Sequence, residues 1–582
     1  MKEAVTMSNP AVRRMRQQRR AEFAMLLRQP GLLACIVAIL IILILFCILP
    51  VVRLFLATIT SQEGRLDLRN VEHIMTSTNF FTSLGHSLLL GITVAVISTL
   101  VGYVFAYAVT RTNMRGKRFF HFMAMLPILS PPFVISLAMI LLFGRSGVIT
   151  KTLLGIRNNN VYGFPSLLIV QTLALFPLAY LNLKGVLESI DGSVEDASRS
   201  LGASRMKVFT SVTLPLSMPG IFSALLIVFA KSISDFGNPQ VLAGDFSVLS
   251  VDAYMQITGL YDLKTGAFMA LSILLPALLA FFIQKYWVAR KSFVTITGKP
   301  VGNIQKIRER HIVIPLFIFC FVITVIVLML YGTVVWISLV KTWGVDMSLS
   351  LKNYQFVFKR GINAMKDTLL LAFIATPITA VLGLVISFLL VRKQFYGKKI
   401  MEVASMIPFA VPGIALGIGY ILSFNTPPIL LTGTAGIIVA ALVFRTLSVG
   451  VEAGSNSLRA VDASIEEASA VLGANNLTTF TRISLPLMRS ALFSGLLNAF
   501  VRSMTSVSAV IFLVSVNWNL LTVSIMSEIE GSRLGVASAY CVVLMVIVVI
   551  ALLILEIALN GDGSRTGAKR RSRKSRPNRT GS

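Results

Sequence analysis

Along the chain, long stretches with almost no charge alternate with short charged interruptions. The first stretch, LLACIVAILIILILFCILPVV at 32–52, is apolar all round rather than on one stripe, the pattern of a helix facing lipid. A hydrocarbon core of ~30 Å needs about 20 helical residues, and this run supplies them. The pattern predicts twelve spans, at 31–57, 84–109, 119–143, 161–184, 219–241, 266–288, 312–339, 366–391, 400–424, 430–452, 490–515 and 535–559. A basic segment precedes the first span, but its apolar run exceeds the ~7–15 residues of a signal-peptide core and no small-residue cleavage site follows. It reads as a retained span. The expected fold class is an all-α polytopic membrane protein.

Two interruptions are polar yet helical. EDASRSLGASRMKVFTSVTLPL stands at 195–216 and EEASAVLGANNLTTFTRISLPL at 466–487, a spacing of 271 (466 − 195). Upstream, RTNMRGKRFFHFMAMLPILSPP at 111–132 resembles RKQFYGKKIMEVASMIPFAVPG at 392–413, a spacing of 281 (392 − 111). Six spans is an even number, so the two halves keep one orientation, as a parallel duplication about an axis along the membrane normal. The expected organisation is a basic N-tail (1–30), a first half (31–288), a basic linker (289–311), a second half (312–559) and a basic, disordered C-tail (560–582).

Composition agrees with the pattern. Hydrophobic residues make up 55% and charged residues 13%, with mean hydropathy +0.80, against the roughly one-quarter charged residues of a soluble domain. The net charge of +28 lies largely in the tails and short loops, with Arg13, Arg14, Arg16, Arg19 and Arg20 at one end and Lys569, Arg570, Arg571, Arg573, Lys574 and Arg576 at the other. Basic flanks orient spans toward the cytoplasm and touch anionic lipid, so both termini are expected there. No aromatic residues interleave with these runs to stack on bases, which argues against nucleic acid as a partner. Cys35, Cys47, Cys320 and Cys541 all fall in apolar runs, and His73, His86, His121 and His311 are scattered without metal-ligand spacing. Neither a metal site nor a catalytic cluster is expected on this chain.

In each polar segment an acidic residue and two small residues precede a glycine, and Leu-Pro closes the segment. The residues are Glu195, Asp196, Ala197, Ser198, Gly202, Ala203, Leu214 and Pro215, then Glu466, Glu467, Ala468, Ser469, Gly473, Ala474, Leu485 and Pro486. Small residues let another surface approach, while proline is expected to end the helix before the next span. A helix lying on the inner leaflet is the plainer alternative, but such helices carry Lys and Arg opposite a continuous apolar face. The spacing resembles the E-A-A, three residues, G, nine residues, I-x-L-P signature of binding-protein-dependent ABC importer permeases. Asp196 replaces Glu, Ser198 and Ser469 replace the second Ala, and Val212 replaces Ile. The resemblance implies a type I importer permease fold in two six-helix halves, in the bacterial inner membrane. It implies that 194–204 and 465–475 are coupling helices, each docking on one of two copies of an ABC ATP-binding subunit. It also implies an extracytoplasmic substrate-binding protein as partner. The chain has no G-x-x-x-x-G-K-[ST] phosphate loop, so ATP and magnesium are expected on the partner ATPase, with no cofactor and no enzymatic activity here.

Charges inside spans are costly and therefore informative. Lys231 falls near the middle of the fifth span, its duplicate at the spacing of 271 is Arg502, and Asp235 follows Lys231 by four residues. Either the cations face the translocation pathway and compensate an anionic or anion-chelated cargo, or Asp235 pairs with one or both and locks the halves together. The pairing is favoured, because unpaired mid-membrane charge is rare. Arg445 poses the same choice. Pro127, Pro131, Pro132, Pro408 and Pro412 are expected to distort the third and ninth spans, either beside a pathway or as ordinary packing kinks.

The stretches 232–263 and 508–535 are similar to fused permeases of the ferric-iron importer subfamily. That resemblance implies ferric iron as cargo. Relatives handling 2-aminoethylphosphonate, hexose phosphate, thiamine or polyamine leave those cargoes open, and a secondary transporter or a membrane-embedded enzyme fits the chain less well.

Overall fold

The computed structural model describes residues 30–60, 65–156, 159–288 and 306–574. The basic N-tail before residue 30, most of the linker and the end of the C-tail lie outside the described residues. Ten helices among the described residues are long and apolar enough to cross a membrane, and a pair bent by 117°, Lys398–Ala410 with Gly413–Phe424, raises the number to eleven. The remaining predicted stretch, 490–515, contains a shorter helix, Arg489–Thr505, followed by turns and extended backbone over 506–520. The only strands among the described residues form a small antiparallel hairpin, Val340–Thr342 with Asp346–Leu349.

Within each half, small residues decide how close the helices come. The second and fourth helices, Thr78–Arg111 and Phe164–Ser189, cross where a Cβ on Gly102 would lie 2.8 Å from Ala179. At the duplicated crossing, of Ile362–Arg392 with Ala435–Arg459, a Cβ on Gly383 would lie 3.1 Å from the Gly450 carbonyl carbon. Lipid tails are as apolar as leucine, so such helices associate by close packing rather than by escape from water.

The halves are not side by side but interlocked. The first span, Pro30–Ile59, packs on the second half, where Phe46 stacks on Phe444 with centroids 5.0 Å apart and accepts the Tyr420 hydroxyl at its carbonyl at 3.0 Å. The first helix of the second half, Arg310–Ser338, reciprocates: Phe317 meets Phe120 at 5.4 Å and Tyr331 hydrogen-bonds Ser130 at 2.5 Å.

The proline-rich third and ninth spans are broken at equivalent places. Lys117–Leu129 gives way at Ser130–Pro132 to Phe133–Phe143, just as Lys398–Ala410 gives way at Val411–Pro412 to Gly413–Phe424. The fifth and eleventh helices stop at equivalent places too, at Ile233 and Thr505. Four helix breaks therefore converge between the halves, where free backbone groups escape lipid.

Leu-Pro does not end the polar segments. Five residues in π-helical register, Phe209–Thr213, run straight into Leu214–Ile233, so Pro215 lies in the first turn of a continuous helix. Proline lacks the N–H and its ring presses on the carbonyl four residues back, and one widened turn relieves both. Phe480–Ser484 likewise runs into Leu485–Leu487, but there the helix stops at Met488 before Arg489–Thr505 begins, so Leu-Pro is followed by a break in the second half only. The last helix continues to Lys574, past the expected end of the final span at 559; elongating an existing helix bears no nucleation cost.

Candidate functional site

Each polar segment folds as a short helix, Gly192–Ser200 or Ala463–Val471. At the entrances, Asp191 Oδ1 accepts from Ser193 N at 2.9 Å and Asp462 Oδ1 from Ser464 N at 3.0 Å. Those contacts, led by the backbone N–H, hold the Asp462 carboxyl below its usual range. The exits are closed by Gly202 and Gly473 at φ +84° and +82°, left-handed values that favour glycine. Ala203 N and Ala474 N then bond back to the carbonyls of Ser198 and Ser469, at 3.2 and 3.1 Å.

A buried clamp holds each helix to the bundle. Arg111, at the end of the second helix, places Nη1 3.3 Å from Glu195 Oε2 and donates through Nη2 to the Leu187 carbonyl at 2.8 Å. Thr213 donates to the other oxygen of Glu195 at 2.8 Å. The second half repeats the arrangement: Arg392 Nε is 3.2 Å from Glu466 Oε2, Arg392 Nη2 donates to the Leu458 and Val461 carbonyls at 3.0 and 2.8 Å, and Ser484 donates to Glu466 at 2.9 Å. Sequence reading placed Glu195 and Glu466 in the segments but missed their partners, although Arg111 and Arg392 had already surfaced as a repeated pair.

With Glu195 and Glu466 turned inward, apolar residues are left outside. Val194, Leu201 and Met206 are exposed on one segment, and Ile465, Val471 and Leu472 on the other; Leu201 is 89% exposed and Leu472 87%. Val194 and Leu201 correspond to Ile465 and Leu472 at the spacing of 271 (465 − 194). Each half thus presents a rigidly backed apolar surface of the kind that interfaces cover.

Between the halves the helix breaks border a cavity of about 550 Å³, lined by Lys231, Asp235, Arg445 and Arg502 among others. The favoured pairing is not formed. Asp235 Oδ2 accepts from Gln171 Nε2 at 3.0 Å and from Asn238 Nδ2 at 2.7 Å, both neutral donors. The helix ends at Ile233, so Asp235 has left the register that would set it beside Lys231. Lys231 Nζ instead reaches across to Phe409, 4.1 Å from its ring centroid and 3.4 Å from its carbonyl. Arg502 Nε donates to Asn498 at 2.9 Å and Arg445 Nη2 to Ser508 at 3.2 Å, while Arg445 Nη1 is buried without a hydrogen-bond partner. Gly413 makes this possible, since any Cβ there would collide with Arg445 and Ser508.

A duplicated, interlocked bundle with two matching apolar surfaces and a charged central cavity is the architecture of a membrane transport component. The chain belongs to the family described as binding-protein-dependent transport system inner membrane component, matched over residues 98–293 and 379–560, once in each half. It is 35% identical to the ferric transport system permease protein FbpB of Actinobacillus pleuropneumoniae over 549 residues, 92% of this chain and 79% of the relative. It is also 35% identical to the putative ferric transport system permease protein FbpB 1 of Haemophilus influenzae, over 83% of this chain and 78% of that protein. The molybdenum transport system permease protein ModB of Haemophilus influenzae is 34% identical over 155 residues, 25% of this chain and 67% of its own length. The protein is thus a multi-pass membrane permease of a transport system that also uses an ATP-hydrolysing subunit and a substrate-binding protein.

Proposed function

We propose that this permease imports ferric iron across the bacterial inner membrane, driven by two copies of an ABC ATP-binding subunit. The cargo assignment is supported by the two relatives named for ferric transport, each 35% identical over most of the chain. The two-motor assignment is supported by the repeated Arg–Glu clamp, since each half carries one backed surface for docking. In this reading both surfaces and both termini face the cytoplasm, and a binding protein delivers cargo from the opposite side. ATP and its magnesium ion are bound by the partner subunits.

The mechanism follows from what the clamps connect. Glu195 is tied to Arg111 on the second helix and to Thr213 at the entrance of the fifth, which carries Lys231 on the cavity wall. Glu466 is tied likewise to Arg392 and to Ser484, ahead of the helix that carries Arg502. Closure of the ATPase pair pushes the two segments together, and the clamps pass the displacement to the helices that bound the cavity. The halves then rock and exchange access from one side to the other.

The test is ATP hydrolysis and radio-iron uptake by the complex in proteoliposomes, with binding protein loaded with iron, a phosphonate or a sugar phosphate. Stimulation by the iron-loaded form alone is the expected result; stimulation by another form alone removes the iron assignment.

A further inference from the structure

The cavity wall carries three basic side chains, Lys231, Arg445 and Arg502, against one carboxyl group, Asp235. Among the described residues no ion pair joins any of the three to a carboxylate, and Asp235 is occupied by the amides of Gln171 and Asn238. The cations meet only neutral groups: a ring and carbonyl at Phe409, an amide at Asn498, a hydroxyl at Ser508. One guanidinium nitrogen of Arg445 has no partner. Among the described residues no histidine or cysteine lines the cavity.

A bare ferric ion meets the wrong chemistry here. Hard cations need several anionic oxygen ligands, and one carboxylate already committed to two amides does not provide them. Cationic side chains repel a trivalent ion three times as strongly as a monovalent one at the same distance. Guanidinium and ammonium groups with spare donors are instead what oxyanions bind. A cavity of about 550 Å³ lies within the range that holds a small complex.

We propose that the cavity accepts its cargo as an oxyanion-bearing species of net negative charge, so that iron crosses still ligated by phosphate- or carboxylate-type anions and the anion enters with the metal. This rests on the iron reading above but has its own content: it ranks phosphonate or sugar phosphate ahead of the cations thiamine and polyamine, were iron not the cargo. Arg502 and Lys231, at duplicate positions, supply the charge from opposite halves, and Arg445 adds a third donor group.

The test is double-label uptake by the full complex in proteoliposomes, with binding protein carrying radio-iron together with labelled phosphate or labelled citrate. Iron and one labelled anion accumulating in a constant ratio of about two or more anions per iron, as net negative charge requires, is the expected result. Iron entering without either anion overturns the proposal and leaves the iron reading standing. Uptake of phosphonate or sugar phosphate but no iron overturns the iron reading and upholds the anionic cavity, whereas uptake of a polyamine or thiamine defeats both. As a second measurement, Arg502→Gln lowers uptake by about tenfold or more with ATPase subunits still co-purifying, and Arg502→Lys restores part of it. Unchanged uptake in an assembled Arg502→Gln complex also overturns the proposal.

Discussion

Arg111 and Glu195, 84 positions apart, meet with Nη1 3.3 Å from Oε2, and the Arg111 side chain is only 2% exposed. The pair is the point at which a surface segment is fastened to the membrane bundle. Its duplicate, Arg392 with Glu466, lies at a similarly sheltered place in the other half. A sheltered ion pair is costly to break from one side, because the surviving charge stays desolvated.

Arg111→Ala strands Glu195 and leaves the Leu187 carbonyl without its donor, a loss on the order of 3 kcal/mol confined to the segment. Hydrogen exchange over 192–204 should rise in the purified complex, and ATP hydrolysis should persist while uptake falls. Arg392→Ala should do the same to 463–475.

Leu201→Glu and Leu472→Glu put a charge on the most exposed apolar points of the two segments. Neither packs in the bundle, so thermal unfolding of the permease alone should not move. Co-purification of the ATP-binding subunit should weaken by about tenfold or more for each, the behaviour of an apolar interface anchor.

Gly383→Val forces a branched side chain against the Gly450 backbone, where a Cβ alone would lie 3.1 Å away. Overpacking of this kind costs ~1–3 kcal/mol, read as a lowered unfolding midpoint in detergent. Gly202→Val, with nothing within 4 Å of its Cβ but φ at +84°, should disturb the first polar segment through backbone strain rather than contact.

Arg205 and Glu309 join the first polar segment to the end of the linker, Nε to Oε1 at 3.0 Å. The backbone N–H of Glu309 itself, then the Arg205 guanidinium, hold that carboxyl below its ordinary value of 4.5. A depressed carboxyl contributes above its unfolded-state value and loses that contribution as pH falls through the folded one. Proteolytic sensitivity around 306–309 should therefore rise below about pH 4.5, and Glu309→Gln should abolish the pH dependence.

The spans, the duplication and the two polar segments were legible from residue order because each is written locally, as an apolar run or a motif repeated at constant spacing. Asp235 shows where that reading fails: four positions after Lys231 implies one helical face, yet the helix stops at Ile233 and the carboxylate turns to Gln171 and Asn238. Pro215 shows the same limit, since a widened turn lets the helix run on through it. Residue order by itself determined that this is a twofold-repeated membrane protein with two polar handles, because lipid tolerates only long apolar helices and a repeat keeps its spacing. Tertiary structure alone decided that the first helix of each half packs on the other half, that Arg111 and Arg392 fasten the handles, and that three basic side chains share one cavity with a single carboxyl, Asp235, which pairs with none of them. Those relationships join residues up to hundreds of positions apart, and only the packing of helix against helix brings them within reach of one another.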